Sequence, residues 1–312
     1  MNLVRPWNSG DVQMTGDRVS VFEVEIELPN PRLTATAKRL IGFEPRYTRI
    51  KEGLRLLIDS DALESWSQKL YGKRISLLEP IFDQYPLALF HGDVGTGKTV
   101  TAECVANALA SDMKRPATLF KLSTQIRDTG SVGEIGMLLN QAFELATREV
   151  GKAKLSFLMI DEADSLAANR NSDRNHRQEK VAVNTLVQRL DDLRRLRGTL
   201  VFLCTNRIYS LDPAVVRRVG HREEFCRPNE LEREALFQLD CEGLGLPPET
   251  IQELVALTGP QAPRRVGFTF SDIRTRLLPE ALRKAFPDRK VTREDLIQAA
   301  CSIEPSPSMG AT

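Results

Sequence analysis

Phe22, Val24, Ile26 and Leu28 alternate with Glu23, Glu25 and Glu27, and this period of two predicts a strand within Arg18–Leu28 with one face in water. Pro29-Asn30-Pro31 ends it. Arg46–Ile58 and Ala62–Leu70 follow a helical period instead, with Leu54, Leu57 and Ile58 on one face. From Pro86 the chain alternates between two kinds of segment. Short, continuously apolar runs at Leu87–Phe90, Thr118–Leu122, Leu155–Ile160 and Leu200–Cys204 predict strands buried on both faces. Between them, Thr99–Ala110, Glu134–Val150 and Gln178–Leu196 predict helices. Such alternation implies an α/β fold on a mainly parallel sheet. After Pro228 the strand runs stop. Glu230–Leu239, Pro248–Thr258, Ser271–Ala285 and Thr292–Cys301 predict a helical unit, with Ser271 and Thr292 placed as N-caps and Asp295 three residues after Thr292.

The chain thus divides into a short N-terminal segment with its strand (1–35), a large α/β unit (36–229), a small helical unit (230–303) and a tail (304–312). Residues 1–17 read as a loose lead-in, and the polar, proline-rich tail gives no reason for order. Charge narrows the function classes. Lys and Arg number 43 against 42 Asp and Glu, a net charge of +1, which argues against a protein held to nucleic acid by overall positive charge. No run approaches the roughly 18 apolar residues that a membrane helix needs. Met1 to Trp7 lacks the apolar block of a secretory signal, so a cytoplasmic protein is expected. The five cysteines form no C-x-x-C pair, which points to reduced, buried thiols rather than a zinc site or a disulfide framework.

Two stretches carry chemistry. Gly92-Asp93-Val94-Gly95-Thr96-Gly97-Lys98-Thr99 matches G-x-x-x-x-G-K-[ST], between an apolar strand and a helix, the context this phosphate-binding loop requires. Its glycines let backbone N–H groups close around phosphate oxygens, aided by the N-terminus of the helix that runs on through Val100. Lys98 is placed to pair with the β- and γ-phosphates of ATP, and the Thr99 hydroxyl to bind Mg²⁺. Leu155–Ile160 then delivers Asp161 and Glu162 to the C-terminal edge of the sheet, where ligands of open α/β sheets bind. Asp161 is suited to hold Mg²⁺ through its water shell, and Glu162 to take a proton from the attacking water.

Asp161-Glu162-Ala163-Asp164-Ser165-Leu166 resembles the D-E-x-D-x-[LI] motif of AAA+ ATPases. Ala182 to Asp191 is similar to that family's V-V-N-x-L-L-x-x-[ML]-D helix, and Leu200 to Asn206 to its strand ending in a sensor asparagine. Leu211-Asp212-Pro213-Ala214-Val215-Val216-Arg217 resembles the L-D-x-A-[LV]-x-R segment that places arginine fingers. The resemblance spans about residues 36–300 and implies a P-loop AAA+ domain of parallel-sheet type, followed by a small α-helical lid domain. Asp93-Val94 in place of two prolines, Arg217-Arg218-Val219-Gly220-His221-Arg222 in place of R-P-G-R-F-D, and a single ATPase unit narrow the likeness. They resemble the HORMA-remodelling AAA+ ATPases of pachytene-checkpoint type, in size the bacterial members encoded beside nucleotide-cyclase antiphage (CBASS) systems.

The resemblance implies a role for each matching residue. Asn206 orients the attacking water with Glu162, and Arg217 and Arg218 reach the γ-phosphate of a neighbouring subunit in a hexameric ring; the alternative for either arginine is a surface ion pair. Ile41 and Gly42, before Phe43, line the adenine pocket or else pack the core. Arg274 or Arg276 either reaches phosphate as a second sensor or faces solvent. Val132 and Ile126 are candidate grips on a threaded peptide in a loop that lacks the usual aromatic, unless that loop is only a connector. Asn169 to Arg177 is a second pore loop or a linker. The implied activity is an ATP-driven protein remodeller whose substrate is a HORMA protein bound to a closure peptide, restraining a CBASS nucleotidyltransferase. Two other readings stay open: an AAA+ helper ATPase for transposition or replication loading, and a nucleotide-gated scaffold. The lack of an added DNA-binding domain opposes the former and the Asp161-Glu162 pair the latter.

Overall fold

The computed structural model describes residues 21–123, 134–150, 154–167, 177–261 and 266–308. The four apolar runs become parallel strands: β2 (Leu87–Gly92), β3 (Ala117–Leu122), β4 (Leu155–Ile160) and β5 (Thr199–Thr205). With β1 (Phe22–Leu28) and β6 (His221–Phe225) they form a six-stranded sheet in the order β1-β3-β4-β5-β2-β6. Only β1 runs antiparallel, beside β3.

The continuous apolar runs follow from a sheet covered on both sides. Leu87 and Leu89 of β2, Leu158 and Ile160 of β4, and Val201 and Leu203 of β5 face one way. They meet α6 (Glu134–Val150) and α7 (Arg177–Leu193). The intervening Ala88, Phe90, Phe157, Met159, Leu200, Phe202 and Cys204 face the other way. Against them lie α1 (Pro31–Arg39), α2 (Phe43–Ile58) and α5 (Lys98–Asp112). Strand side chains alternate between faces, so both layers need mostly apolar residues throughout these runs, with Thr118, Lys121 and Ser156 as the polar exceptions. Phe90, Phe157 and Phe202 are fully buried, and truncating one to alanine costs about 3–5 kcal/mol.

Leu54, Leu57 and Ile58 share the buried face of α2 as expected, and α3 (Ser60–Tyr71) and the short α4 (Leu78–Phe82) follow it. Two further elements escape the pattern. The Pro29-Asn30-Pro31 stretch that ends β1 also begins α1, where Asn30 accepts from Arg32 N at 2.9 Å as an N-cap and Pro31 occupies the first helical position. The division expected at 35/36 falls inside this helix. β6 reads His221-Arg222-Glu223-Glu224-Phe225, too polar for a buried strand, yet it pairs with β2 at the sheet margin. Its buried Glu223 is held by Arg46 at 2.8 Å and by Arg49.

Beyond β6 and α8 (Pro213–Val216), the described chain is helical: α9 (Glu230–Asp240), α10 (Pro248–Thr258), α11 (Leu278–Ala285) and α12 (Arg293–Ser302). They enclose a separate apolar cluster around Leu236, Phe237, Leu254, Phe268, Leu277 and Leu296. Thr292 and Asp295 form the expected capping box of α12. Ser271 does not cap. Its backbone is already helical, and a π turn, Asp272–Leu277, precedes α11. The cap is Thr269, whose hydroxyl accepts from Asp272 N at 3.0 Å while Thr269 N donates to Asp272 Oδ2 at 3.0 Å. The T-x-x-D spacing was readable and points two residues upstream of Ser271.

Two other expectations change. Residues 304–308 are docked: Ser306 donates its N–H and hydroxyl to Asp272, and Arg276 donates to Glu304 O at 2.9 Å. Cys104, Cys204 and Cys241 are buried, but Cys226 and Cys301 are exposed. Among the described residues, no helix is long and apolar enough to cross a membrane. The 1–17 lead-in, residues 18–20, Ile126, Val132, residues 169–176 and 309–312 lie outside the described residues.

Candidate active site

β2 ends at Gly92 and α5 begins at Lys98, so the glycine-rich loop spans the gap between a strand end and a helix N-terminus. Steric demands fix two of its glycines. Gly92 has φ 141°, and a Cβ there would lie 2.0 Å from Phe225 O. Gly95 has φ 73°, and its Cβ would lie 2.8 Å from both Thr269 Oγ1 and Ser271 Cβ. Thr96 Oγ1 donates to Asp93 O at 2.8 Å and closes the loop. Buried Lys98 follows Gly97, and its Nζ donates to Gly92 O at 3.0 Å and Asp93 O at 2.7 Å. Burial pulls the Lys98 ammonium below the ordinary lysine value, against the attraction of Asp161, Asp93 and Asp164.

Thr99 Oγ1 donates to Asp161 Oδ2 at 2.8 Å, which joins the first turn of α5 to the end of β4. Asp161 Oδ1 accepts from Glu162 N at 2.9 Å. Glu162 is exposed and left-handed, with φ 46° and ψ 47°, a conformation that costs a non-glycine residue about 1 kcal/mol. Asn206 follows β5, whose end is fixed by Thr205 Oγ1 donating to Asp164 Oδ1 at 2.7 Å and accepting from Arg207 N at 3.0 Å. Val94, Gly95, Gly97, Lys98, Thr99 and Val100 line a cleft of about 450 Å³. Asp161, Glu162, Asn206 and Arg274 line the same cleft. One hydroxyl and one carboxylate in contact suit a hard divalent cation that keeps most of its other positions for phosphate oxygens and water. Among the described residues no cluster of three or more His, Cys, Asp or Glu gathers elsewhere to make a protein-only metal cage.

Ile41 borders a smaller pocket of about 50 Å³ beside Thr96 and Gly97, together with Cys226, Phe270 and Arg274. Gly42 does not line that pocket; at φ 73° it turns the chain into α2. Of the two candidate sensor arginines, Arg274 borders the cleft, and its Nε donates to Asp240 Oδ2 at 2.5 Å. Arg276 is bound to Asp272 and Glu304 O. Arg217 and Arg218 do not border their own chain's cleft. Arg218 grips Asp191 through Nε at 2.8 Å and Nη2 at 2.9 Å, and donates to Ala214 O at 2.8 Å. Arg217 is exposed. Arg197 lies past the end of α7 and donates to Leu57 O at 3.1 Å and to Phe82 O.

Sequence reasoning passed over Arg227, Asp240 and Asp272. Arg227 Nε donates to Asp93 Oδ2 at 2.7 Å, inside the glycine-rich loop. Its partners are distant in sequence, so no local spacing announces it.

Residues 88–227 match the family model described as "ATPase family associated with various cellular activities (AAA)". The chain is 45% identical to CD-NTase-associated protein 6 of Escherichia coli (strain KTE188), covering 93% of this chain and 98% of that protein. Among solved structures it is similar to a chain of the E. coli MS115-1 HORMA:CdnC:Trip13 complex, with a TM-score of 0.84 and 33% identity, covering 92% of this chain and 97% of that one. It is also similar to Rhizobiales Trip13, with a TM-score of 0.70 and 30% identity, covering 92% of this chain and 99% of that one.

Proposed function

The chain belongs to the AAA ATPase family, among relatives of CD-NTase-associated protein 6, and on that premise we propose that it hydrolyses ATP to remodel a HORMA-domain protein. The observation that carries the chemistry is the convergence of Lys98, Thr99, Asp161, Glu162 and Asn206 on one cleft. Loop N–H groups and Lys98 hold the phosphates, and the Thr99 hydroxyl and Asp161 hold Mg²⁺, which when bound offsets charge on the β- and γ-phosphate oxygens. Glu162 accepts a proton from the attacking water, and Asn206 orients that water. Ile41 borders the smaller pocket and Arg274 borders both that pocket and the cleft, which supports reading Ile41 as a base contact and Arg274 as a phosphate contact.

Beyond Lys98 and Mg²⁺, the charge that develops on the transferring phosphoryl group calls for a further cation. Arg217 supplies it in trans, from a neighbouring subunit of a hexameric ring. Arg218 holds the segment through Asp191, and the short bidentate pair raises its guanidinium further above ordinary titration. In this reading the ring works in the cytoplasm, threads a HORMA protein past Val132 and Ile126, and so restrains a CBASS nucleotidyltransferase. The likeness to the chain from the HORMA:CdnC:Trip13 complex supports that substrate class.

ATP turnover of the purified chain, measured alone, with a HORMA-domain protein from its gene neighbourhood and with DNA, tests the proposal. Stimulation by the HORMA protein, lost in Glu162→Gln, is expected. Stimulation by DNA alone would assign the chain to the nucleic-acid helpers instead.

A further inference from the structure

A carboxylate in a phosphate cradle is electrostatically adverse, and Asp93 places one there. Its charge is close enough to raise the affinity of Lys98 for its proton. The structure answers it with Arg227, which lies between the sheet and the C-terminal helices and whose side chain is 12% exposed. The guanidinium spends its donors in three directions. Nε meets Asp93 Oδ2 at 2.7 Å, Nη1 meets Gly267 O at 2.7 Å, and Nη2 meets Ser306 O at 2.8 Å. One side chain therefore joins the loop, the segment leading into the π turn, and the strap formed by residues 304–308.

The strap is anchored from the opposite side. Asp272, 2% exposed, accepts from Ser306 N at 3.1 Å and from Ser306 Oγ at 2.6 Å. Ser308 Oγ lies 3.5 Å from Asp93 Oδ1. Ser306 is thus pinned between a cation and an anion, and its carbonyl fixes the plane of the guanidinium that orients Asp93.

We infer that Arg227 is a positioning residue for the nucleotide site, and that the C-terminal strap holds it against Asp93. The pair cancels the Asp93 charge and turns that carboxylate away from the phosphate cradle. Nucleotide affinity then depends on a segment that contributes no atom to the cleft. This inference rests on the reading of the cleft as an ATP site and adds a determinant that the motif does not contain.

Calorimetric titration of the full chain with ADP and with a slowly hydrolysed ATP analogue tests it. Arg227→Gln should weaken binding about tenfold, the order of coupling between charged groups in contact. Asp93→Asn, which removes the adverse charge, should tighten binding about threefold and recover most of the loss when combined with Arg227→Gln. A chain ending at Ile303 should bind more weakly than the full chain, and Arg227→Gln should cost less in it than in the full chain. Equal losses from Arg227→Gln with and without Asp93→Asn would overturn the inference, because a packing role alone gives additivity. Unchanged affinity on removing residues 304–312 would overturn the role of the strap, and that measurement stands even if Arg227→Gln does not fold. Failure of the wild-type chain to bind either nucleotide, or binding unaffected by Lys98→Ala, would instead remove the ATP-site reading itself.

Discussion

Glu162 holds a left-handed backbone that a β-carbon disfavours, and the strain sits where a carboxylate leaves the sheet edge toward the cleft. Gln in its place keeps shape and hydrogen bonding but takes no proton. Glu162→Gln should therefore bind ATP normally while turnover falls about 10²-fold or more. Parallel binding and single-turnover measurements check this, and near-normal turnover would place the base elsewhere. Lys98 has the opposite profile. Its ammonium is buried and already satisfied by two loop carbonyls, so it is a fixed charge awaiting phosphate. Lys98→Ala should abolish measurable nucleotide binding while leaving the melting temperature near that of wild type; calorimetry and a thermal melt together decide. The convergence at this scale was readable because the motifs fix both residue type and spacing: Lys98, Thr99, Asp161, Glu162 and Asn206 line one cleft. Arg218 was harder to read. Nothing in its local sequence reveals that Asp191, on another helix, occupies both arms of its guanidinium.

The elements divide along the same physical line. Largely apolar runs announced β2, β3, β4 and β5, since a strand covered on both faces buries side chains on each side. β6 gave no such signal because its stability comes from pairing with β2 and from Arg46 and Arg49 around Glu223, all remote in sequence. The docked strap was invisible for the same reason: its partners lie at positions 227, 272 and 276. Two carboxylates in the C-terminal helices make a testable contribution. Burial alone would raise the Asp272 carboxyl, but hydrogen bonds from Ser306 and Thr269 outweigh it and hold the group below the usual carboxylate range. Arg289, then the Thr292 N–H, hold Asp295 far below that range. Their stabilisation is complete above the unfolded carboxylate value and is lost as pH falls through the lower folded values. The melting temperature should thus stay level from pH 7 to about 5 and drop steeply below about 4, with Asp295→Asn flattening the drop. A decline already under way between pH 7 and 6 would count against these two groups as the acid-sensitive anchors.

For the whole molecule, the proposed ring separates the base and the arginine of each complete site onto different subunits. Arg217→Ala should leave ATP binding largely intact and slow hydrolysis about 10³-fold or more. Mixed with Glu162→Gln subunits, it should recover some hydrolysis, because a Glu162→Gln subunit lends its arginine to a neighbour that keeps Glu162. No recovery at any ratio, in rings shown to be mixed, would assign Arg217 to its own chain's site or to none. Bringing several copies together raises another hazard, set by which strands lie at the two margins of the sheet. An unpaired strand margin is a template on which a second chain can grow an intermolecular sheet, and crowding in an assembly makes that encounter frequent. Here the margins are β1, with Glu23, Glu25 and Glu27, and β6, with Arg222, Glu223 and Glu224. Glu27 is paired with Lys154 at 3.1 Å, but Glu23 and Glu25 would face their own images if two such strands met, and that repulsion would oppose fibrous aggregation. Replacing Glu23 and Glu25 with valine should preserve the native fold yet raise light scattering on mild heating, and unchanged scattering would show that another feature guards this margin. The glutamates that first mark β1 as half-wet would then also act as gatekeepers against sheet growth from one copy to the next.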